Sequence, residues 1–479
     1  MKNVLFITSE AVPFIKTGGL ADVCGTLPKH IDRRSFDVRV IMPKYAGIKE
    51  ELKQKLEYKF NFNMYLGWRN AYVGVFEAKI DNIIFYFIDN EFYFSGQMPY
   101  SDVSWDTEKF AYFSKAALSC LPMLDFKPDV IHCHDWQASL APVYLDSEFK
   151  QNDFYKDVKT VLTIHNLKFQ GRYNIGATMD LTGLSGEYFT ADKLEAWGDS
   201  NLLKGGIVFS DKVTTVSKTY AGEIQTDFYG EGLQSVLRAR SGELIGIVNG
   251  IDYDEFNPQK DKNIPFNFSK KNLSGKTKNK LALQAELGLK QDENVLLLGM
   301  VSRLTDQKGF DLVAHVFDEL ANQNVQIVVL GTGEKQYEDM FKHYAWKYSG
   351  SVAAKICYNE ELSHKIYASC DAFLMPSLFE PCGLAQMMSL RYGTLPIVRE
   401  TGGLRDTVEA YNEFEQTGTG FSFANYNAHE MLDTVKYAVN TYYKNREAWD
   451  KMVVRAMEKD FSWRASAKEY EKLYKELLK

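Results

Sequence analysis

The sequence has no long hydrophobic run, and none of its apolar stretches approaches the roughly 20 residues that span a bilayer. The first ten residues, MKNVLFITSE, contain only a short apolar stretch that ends at Glu10. That stretch is shorter than the hydrophobic region of a signal peptide, and no small-residue cleavage site follows it. We therefore expect a buried first strand here, with neither a membrane anchor nor a secretory leader.

The sequence also has few cysteines, and its net charge is negative. Six cysteines occur in 479 residues and no two of them form a C-x-x-C pair, which favours reduced thiols in a cytoplasm over a disulfide framework. The formal net charge is −7, whereas a broad nucleic-acid surface needs clustered Lys and Arg. We therefore expect no nucleic-acid partner.

Short apolar and β-branched runs alternate with helical patterns along the whole chain. NVLFIT, DVIHCH, TVLTIH, VLLLGMVSR, VQIVVLG and DAFLMPS are examples of predicted strands, and several lack polar alternation, as strands buried on both faces do. Alternation of strands and helices on this scale predicts an α/β protein with parallel sheets covered by helices. A chain of 479 residues is too long for one ordinary core, so we expect two domains.

The periodicity is lost in residues 247–266, which are rich in Asn, Asp and Pro. We predict an N-terminal domain at 1–248, a C-terminal domain at 249–460, and a C-terminal helix at 461–479. This helix could pack on either domain, including by crossing back onto the first. The stretch TGGLADV at 17–23 recurs as TGGLRDTV at 401–408. Either Gly-Gly is a common turn, or two similar doubly wound domains face one cleft, with ligands at the carboxyl ends of their strands.

A glycine loop with one lysine follows the first predicted strand. Gly18 and Gly19 have no Cβ, so this turn can reach positive φ and let the backbone approach a ligand. A helix that begins near Leu20 would direct free N–H groups into the turn, and Lys16 adds a positive charge, which together suit a phosphate or diphosphate. The loop is neither G-x-G-x-x-G nor a P-loop. The alternative is a surface lysine beside a structural turn.

The second half contains a more specific cluster. Arg303 and Lys308 follow a predicted buried strand, and Glu380 lies in a loop before Cys382-Gly383-Leu384, where we expect a helix to begin. Arginine binds anions with two N–H groups and lysine acts as a point charge, so the cluster predicts a site for a diphosphate leaving group that needs no metal. The alternative is a structural arginine–glutamate ion pair.

Polar residues also follow two predicted strands of the first half. His165 and Asn166 follow TVLTI, and His132, His134 and Asp135 end the strand DVIHCHD. Two histidines spaced by two on a strand point the same way, but a metal site needs further ligands, and no third histidine is nearby in the sequence. We therefore expect no metal, a core role for His132, and contact of Asp135 with a sugar hydroxyl.

Seven motifs in order, KTGGLADV, HDWQA, HNL, VNGID, SRLTDQKG, FEPCGL and TGGLRDTV, make the chain resemble the bacterial glycogen synthases and the plant starch synthases. The resemblance implies a GT-B fold, in which two Rossmann-like doubly wound domains face an interdomain cleft. It also implies retaining transfer of glucose from ADP-glucose to the non-reducing end of an α-1,4-glucan, without metal or cofactor.

The resemblance also implies roles for residues at the matching positions. His165, Arg303, Lys308 and Glu380 would be catalytic. The substrate-binding residues would be Lys16, Gly18, Gly19, Asp22, Tyr100, Asp135, Asn166, Asn249, Tyr358, Cys382, Gly383 and Leu384. Among these, Asp22 and Tyr100 would reach the acceptor glucan and Tyr358 would flank adenine.

One position departs from the broader pattern of retaining GT-B enzymes, in which a second glutamate follows the first by eight residues. Met388 stands there, as in the glycogen and starch synthase branch, so the choice between ADP-glucose and UDP-glucose depends on the resemblance alone. Other readings are a related GT-B glycosyltransferase, a glucan phosphorylase, a sugar-nucleotide epimerase, and a non-catalytic glucan- or nucleotide-binding protein. The sequence does not indicate any partner protein.

Overall fold

The computed structural model describes all residues from 1 to 479 and divides into two compact units. The first unit comprises Met1–Gly250 together with Trp463–Lys479, and the second comprises Ile251–Ser462. The predicted boundary lies after residue 248, and the observed division lies after Gly250. No helix has both the length and the hydropathy needed to cross a membrane.

The first unit is built on a nine-stranded sheet and a small three-stranded sheet. The strands are β1 (Lys2–Ile7), β2 (Phe36–Pro43), β3 (Glu57–Leu66), β4 (Arg69–Ile80), β5 (Ile83–Asp89), β6 (Val130–His134), β7 (Lys159–Ile164), β8 (Arg172–Tyr173), β9 (Glu195–Ala196), β10 (Asp199–Asn201), β11 (Lys212–Thr215) and β12 (Leu244–Gly246). The large sheet has the order β12-β11-β7-β6-β1-β2-β5-β4-β3, and all its neighbours are parallel except the pairs β5–β4 and β4–β3.

Helices cover this sheet. They are α1 (Gly19–His30), α2 (Glu50–Lys53), α3 (Glu91–Phe94), α4 (Val103–Ser119), α5 (Leu140–Tyr144), α6 (Ile175–Thr182), α7 (Leu202–Phe209), α8 (Lys218–Glu223) and α9 (Gln234–Ala239). The central strands are apolar throughout because both of their faces are covered, and every residue of β6 is buried.

The antiparallel hairpin β3–β4 was not predicted from the sequence. Its strands lie at one edge of the sheet and are only half-buried, so their side chains alternate instead of forming an apolar run. Met64 and Leu66 are buried while Asn63 and Tyr65 are exposed. Two residues connect the strands, and the first of them, Gly67, has a φ of +57°, as a tight hairpin turn requires.

The second unit has a six-stranded, fully parallel sheet. Its strands are β13 (Leu296–Val301), β14 (Val325–Leu330), β15 (Val352–Lys355), β16 (Ala372–Met375), β17 (Leu395–Arg399) and β18 (Phe421–Phe423), in the order β15-β14-β13-β16-β17-β18. Its helices are α10 (Ser274–Leu287), α11 (Phe310–His315), α12 (Phe317–Ala321), α13 (Lys335–Lys347), α14 (Glu360–Ser369), α15 (Ala385–Arg391), α16 (Gly402–Thr407), α17 (Ala428–Lys444) and α18 (Arg446–Glu458). The predicted α/β class is confirmed.

Both sheets have the strand order of a Rossmann fold. In the second unit the order is 3-2-1-4-5-6 when its strands are numbered along the chain, and in the first unit β5, β2, β1, β6, β7 and β11 follow the same scheme. The direction of strand addition therefore reverses between β1 and β6, and again between β13 and β16. Loops diverge at the carboxyl ends of such strands and leave a crevice, which is where ligands bind in open α/β sheets.

The last helix, α19 (Trp463–Leu477), belongs to the first unit and packs against α1. Trp463, Tyr470 and Tyr474 are fully buried, and together they give the helix an apolar face. Glu471 accepts a hydrogen bond from the backbone N–H of Asp32 at 2.9 Å. The C-terminal segment is therefore part of the core of the N-terminal unit.

A buried ion pair connects α10 to the sheet of the second unit. The ammonium group of Lys280 lies 2.7 Å from Oδ2 of Asp371 and donates to the carbonyl oxygen of Glu293 and the hydroxyl of Tyr442. The same carboxylate oxygen accepts the backbone N–H of Leu297 at the start of β13. Because Lys280 is 3% exposed and Asp371 is 8% exposed, each charge depends on the other for compensation.

Lys280→Ala is expected to lower the free energy of unfolding of the second unit by about 3–5 kcal/mol, because it leaves the Asp371 carboxylate buried without its cation. The matched control is Lys335→Ala, which breaks an exposed ion pair with Asp339 and is expected to leave the stability almost unchanged. Thermal unfolding followed by calorimetry compares the two. Similar small shifts for both variants would contradict this account of the pair.

Candidate active site

In each unit, several of the residues predicted to bind substrate lie in loops at or beside the reversal of strand order. In the first unit, residues 8–18 connect β1 to α1, Asp135 follows β6, and His165 follows β7. In the second unit, Arg303 and Lys308 follow β13, and Glu380 follows β16. The topology thus brings segments that are far apart in the sequence to one edge of each sheet.

The glycine loop after β1 has an extended backbone at its first glycine. Gly18 is the N-cap of α1 and has φ −157° and ψ −168°, which is extended backbone, so this residue does not use the positive φ that glycine permits. A Cβ at Gly18 would lie 4.0 Å from Oε1 of Glu10 and would meet nothing closer. The absence of a side chain therefore leaves open space beside the first turn of α1.

Glu10, which the sequence analysis did not select, fixes this loop. Its Oε2 accepts hydrogen bonds from the backbone N–H of Thr17 at 2.5 Å and from the Thr17 hydroxyl at 2.8 Å. The side chain is buried, and burial raises the pKa of Glu10 to about 7 against the opposing effect of the Thr17 hydrogen bonds. An isolated acidic residue after an apolar strand was the only signal of this role in the sequence.

The other polar groups around the loop have partners within the unit. Nζ of Lys16 lies 2.8 Å from Oδ1 of Asp22 on α1, and both side chains are partly exposed. The hydroxyl of Tyr100 is 2.9 Å from the hydroxyl of Ser9, and burial raises the pKa of Tyr100 well above its ordinary value. The loop therefore presents a lysine whose charge is already shared with a carboxylate.

Asp135 occupies a strained position at the end of β6. Its φ is +56°, a left-handed conformation that is uncommon outside glycine and often found at functional sites. The turn is held because the Asp135 N–H donates to the carbonyl oxygen of Thr163, and Oδ1 of Asp135 accepts the backbone N–H of His165 at 2.6 Å. Burial raises the pKa of Asp135 to about 7. The carboxylate thus connects the β6 loop to the β7 loop.

Two of the first unit's candidates make few contacts with their side chains. Oδ1 of Asn166 accepts the backbone N–H of Lys168 at 3.1 Å, which closes a turn. Asn249 is buried, yet its Oδ1 has no hydrogen-bond partner in the protein. Buried amide oxygens without a partner are rare, so Asn249 retains a free acceptor.

In the second unit, Lys308 and Glu380 form a close ion pair. Nζ of Lys308 lies 2.6 Å from Oε2 of Glu380, and the hydroxyl of Ser377 donates to the same oxygen at 3.1 Å. Glu380 is 5% exposed, while Arg303 is exposed and its guanidinium makes no hydrogen bond or ion pair within the protein. The ion pair anticipated as a structural alternative is therefore formed by Lys308, and the arginine is left unpaired.

Two glycines allow the second TGGL segment to pack on the loop that contains Glu380. A Cβ on Gly402 would lie 1.9 Å from the carbonyl oxygen of Glu380, and one on Gly403 would lie 2.0 Å from that of Cys382. Gly402 also has a φ of +45°, and the N–H of Gly403 donates to the Glu380 carbonyl oxygen at 3.0 Å. The motif is thus required for close packing of two loops.

The segment after Glu380 is less regular than predicted. The helix α15 begins at Ala385, Leu384 is its N-cap, and Gly383 has a φ of +71°, so Cys382 and Gly383 precede the helix. The expectation that Cys382 to Leu384 open the helix is therefore wrong by one to three residues, because Gly383 turns the chain before the helix starts. Tyr358, the residue expected to flank adenine, follows β15 and is 80% exposed.

Arg399, which was not predicted from the sequence, is hydrogen-bonded to the loop that contains Glu380. It ends β17, is 6% exposed, and its Nε donates to the carbonyl oxygen of Ser377 at 2.9 Å. A buried guanidinium without a predicted partner gives no signal in the sequence. No cluster of three or more His, Cys, Asp or Glu side chains in the structure has an arrangement that would hold a metal ion.

The raised pKa of Glu10 predicts a specific pH dependence of stability. Its folded-state pKa of about 7 lies above the ordinary value of 4.5, so the folded state binds more protons between these pH values and stability falls as the pH rises through them. Glu10→Gln removes this contribution. As the pH rises from 4.5 to 8, the free energy of unfolding of the variant is expected to increase by up to about 3 kcal/mol relative to that of the wild type.

Thermal unfolding of both proteins at several pH values measures this difference. Glu10 contributes to the raised pKa of Asp135, so the difference between the two proteins reports Glu10 together with its effect on Asp135. Two stability curves that stay parallel from pH 4.5 to pH 8 would show that Glu10 is not held with a raised pKa.

Comparison with known proteins gives matches along the entire chain. The family profile described as the starch synthase catalytic domain matches residues 3–239, and that of the glycosyl transferases group 1 matches residues 280–453. The glycogen synthase of Lachnospira eligens is 63% identical over all of both chains. The glycogen synthase of Clostridium perfringens is 49% identical, covering 100% of this chain and 98% of its own.

Solved structures agree with these matches. The catalytic domain of starch synthase IV from Arabidopsis thaliana, bound to ADP and acarbose, superposes with a TM-score of 0.91 at 33% identity, covering 100% of this chain and 99% of that chain. Sucrose-phosphate synthase from Thermosynechococcus elongatus, with a TM-score of 0.62 and 14% identity over 100% of this chain and 99% of its own, shares the fold alone. The chain is therefore a GT-B glycosyltransferase and belongs to the glycogen and starch synthase family.

Proposed function

We propose that this enzyme transfers glucose from ADP-glucose to the non-reducing end of an α-1,4-glucan, with retention at C1, release of ADP and no metal ion. The observation that carries the proposal is the group formed by Arg303, Lys308 and Glu380 at the strand reversal of the second unit. Two cations and a buried carboxylate are placed there where a Rossmann-type sheet binds ligands. Full-length identity of 63% to a glycogen synthase supports the same reading.

The cations serve the leaving group. Cleavage of the bond between C1 and phosphate oxygen increases the negative charge on the departing ADP, and a positive group placed in advance lowers that barrier. Arg303 is exposed and unpaired in the protein, so its guanidinium is available to bind phosphate oxygens with two N–H groups. Lys308 adds a second positive charge on the same side of the sheet.

Glu380 binds the sugar in this proposal and does not attack it. Its Oε2 already accepts from Lys308 and Ser377, whereas Oε1 accepts no hydrogen bond from the protein. Both oxygens of a carboxylate share its charge, so the ammonium group on Oε2 lowers the nucleophilicity of the whole group, while Oε1 remains an acceptor for glucose hydroxyls. Retention then follows from attack of the acceptor hydroxyl on the same face, with its proton passing to the departing phosphate.

The first unit supplies the remaining contacts in the proposal. Lys16, Gly18 and Gly19 are assigned to the donor phosphates and glucose, and His165 to the reacting sugar. The other assignments are substrate contacts by Asp22, Tyr100, Asp135, Asn166, Asn249, Tyr358, Cys382, Gly383 and Leu384. These roles rest on the family resemblance and on the position of the loops at the carboxyl ends of the strands.

We also propose a cytoplasmic location. All six cysteines are free thiols, and Cys357 is exposed, which fits a reducing compartment. The proposed partners are the glucan acceptor and the nucleotide sugar.

The proposal is tested by measuring ADP release from ADP-glucose with and without glycogen, and UDP release from UDP-glucose under the same conditions. We expect glycogen-dependent release of ADP and elongation of the glucan by α-1,4-linked glucose. Preference for UDP-glucose would reassign the donor. Glucose 1-phosphate formation from glycogen and phosphate would identify a phosphorylase, and binding without turnover would identify a non-catalytic protein.

Lys308→Met is expected to lower kcat by about 10²–10³, the usual cost of removing one preorganised charge from a transition state. Because the change also leaves the Glu380 carboxylate without its cation, thermal stability is expected to fall as well. The double variant Lys308→Met with Glu380→Gln removes both charges and is expected to recover stability without recovering kcat. Lys335→Ala, on the exposed surface of α13, is the control.

A kcat that stays near the wild-type value in Lys308→Met, while thermal stability falls, would mean that Lys308 acts only as a structural partner of Glu380. Trapping a glucosyl ester on Glu380, detected by mass spectrometry, would overturn the proposed absence of a protein nucleophile.

Because Arg303 and Lys308 supply the positive charge for the leaving group, dialysis against EDTA is expected to leave the transfer rate unchanged within about twofold. Restoration of a lost rate by added Mg²⁺ or Mn²⁺ would instead assign the leaving-group charge to a metal.

A further inference from the structure

Three imidazoles lie in a row at the carboxyl ends of β6 and β7 in the first unit. The rings of His132 and His134, two residues apart on β6, stack at a centroid distance of 4.3 Å with an interplanar angle of 26°. Nδ1 of His134 lies 3.0 Å from Nε2 of His165, which follows β7. His134 therefore stands between a core histidine and the histidine assigned to the reacting sugar.

The inner end of this row is fixed by the core. Nδ1 of His132 lies 2.7 Å from the hydroxyl of Tyr474 on α19, and its Nε2 lies 2.6 Å from the hydroxyl of Thr163. Both ring nitrogens of His132 are thus engaged, and its ring cannot turn without losing both bonds. His134 packs against this immobile ring and against Phe6, whose centroid is 4.9 Å away.

The environment of His134 determines which of its nitrogens carries the proton. Burial holds the pKa of His134 well below its ordinary value, so the ring is neutral and has one N–H. Nε2 of His134 is buried and has no hydrogen-bond partner. An orphaned buried N–H is rarer in proteins than an unpaired acceptor, so the proton belongs on Nδ1, which has a partner.

A proton on Nδ1 of His134 determines the state of its neighbour. That N–H donates to Nε2 of His165, which must then be an unprotonated acceptor. Burial lowers the pKa of His165 to about 3, so this ring is also neutral and carries its single proton on Nδ1. No group of the protein is hydrogen-bonded to this nitrogen.

We propose that His134 is a positioning residue that fixes His165 in its Nδ1–H tautomer, so that His165 presents a neutral N–H donor to the substrate. The imidazole then acts by hydrogen bonding to a sugar oxygen, and not as a general acid or base. The assignment of the sugar as the recipient rests on the proposed function, whereas the tautomer rests on the hydrogen bonds within the first unit.

The tautomer is measured directly by ¹⁵N NMR of the wild-type, perdeuterated protein labelled at histidine. The chain has eight histidines, and comparison with the spectra of His134→Asn and His165→Gln assigns the two of interest. We expect both rings to be neutral at pH 7, each with its proton on Nδ1. A proton on Nε2 of His165, or a doubly protonated ring at pH 7, would overturn the proposal.

Kinetic measurements then test whether His134 positions His165 or only fills space. In His134→Asn, the side-chain amide takes the place of Nδ1 and can still donate, whereas His134→Leu fills the site without a donor. We expect kcat to fall about tenfold or more in the leucine variant and to recover within about threefold in the asparagine variant, with little change in KM for the donor. Melting temperatures of both variants are measured alongside.

Equal kcat in the leucine and asparagine variants at matched melting temperature would show that His134 only fills space. If the wild-type protein did not transfer glucose at all, the proposed function would fail while the NMR result still decided the tautomer. If the leucine variant did not fold, the wild-type spectrum alone would decide it.

Discussion

The reversal of strand order in each parallel sheet is the constraint on which the site depends. At β1 and β6 in the first unit, and at β13 and β16 in the second, adjacent strands send their loops to opposite sides of the sheet. This divergence leaves a crevice at the carboxyl ends of the strands, where loop residues can contact a ligand. Every group to which the chemistry is assigned in the second unit, from Arg303 to Glu380, follows one of these strands or their neighbours.

The candidate site residues of the two units differ in their charge. In the first unit, burial raises the pKa of Glu10 and Asp135 and lowers the pKa of His134 and His165, so each group is shifted toward its neutral form. In the second unit, Lys308 and Glu380 compensate each other, and Arg303 stays in solvent. Neutral donors and acceptors suit the hydroxyls of a sugar, whereas available cations suit a diphosphate. The proposed roles follow this difference in part, since Lys16 of the first unit is also assigned to the phosphates and Glu380 of the second unit to sugar hydroxyls.

Much of this arrangement could be predicted from the sequence, because it depends on features that are local. Apolar runs predicted the buried parallel strands, and their ends placed Arg303, Lys308 and Glu380 in loops of one domain before any contact was known. The half-buried hairpin β3–β4 was missed because only one of its faces is apolar. Its exposed side chains are indistinguishable from those of a loop when the sequence is searched for continuous runs.

What could not be predicted depends on register and on partners distant in the chain. Glu10 holds Thr17 only because the loop after β1 folds back on itself, and Arg399 is buried only because β17 lies beside β16. The extended conformation of Gly18 shows the same limit, since glycine permits positive φ without requiring it. Spacing shows which residues can meet, but the topology of the sheet decides which of them do.

The contact between Tyr474 and His132 extends this dependence to the end of the chain. Tyr474 is fully buried on α19, and its hydroxyl engages one nitrogen of His132 while Thr163 engages the other. His134 stacks on that ring and reaches His165 at the edge of the sheet. The packing of the C-terminal helix and the orientation of an imidazole at the candidate active site are therefore joined by three successive contacts, so a change that loosens α19 also releases the ring against which His134 is held.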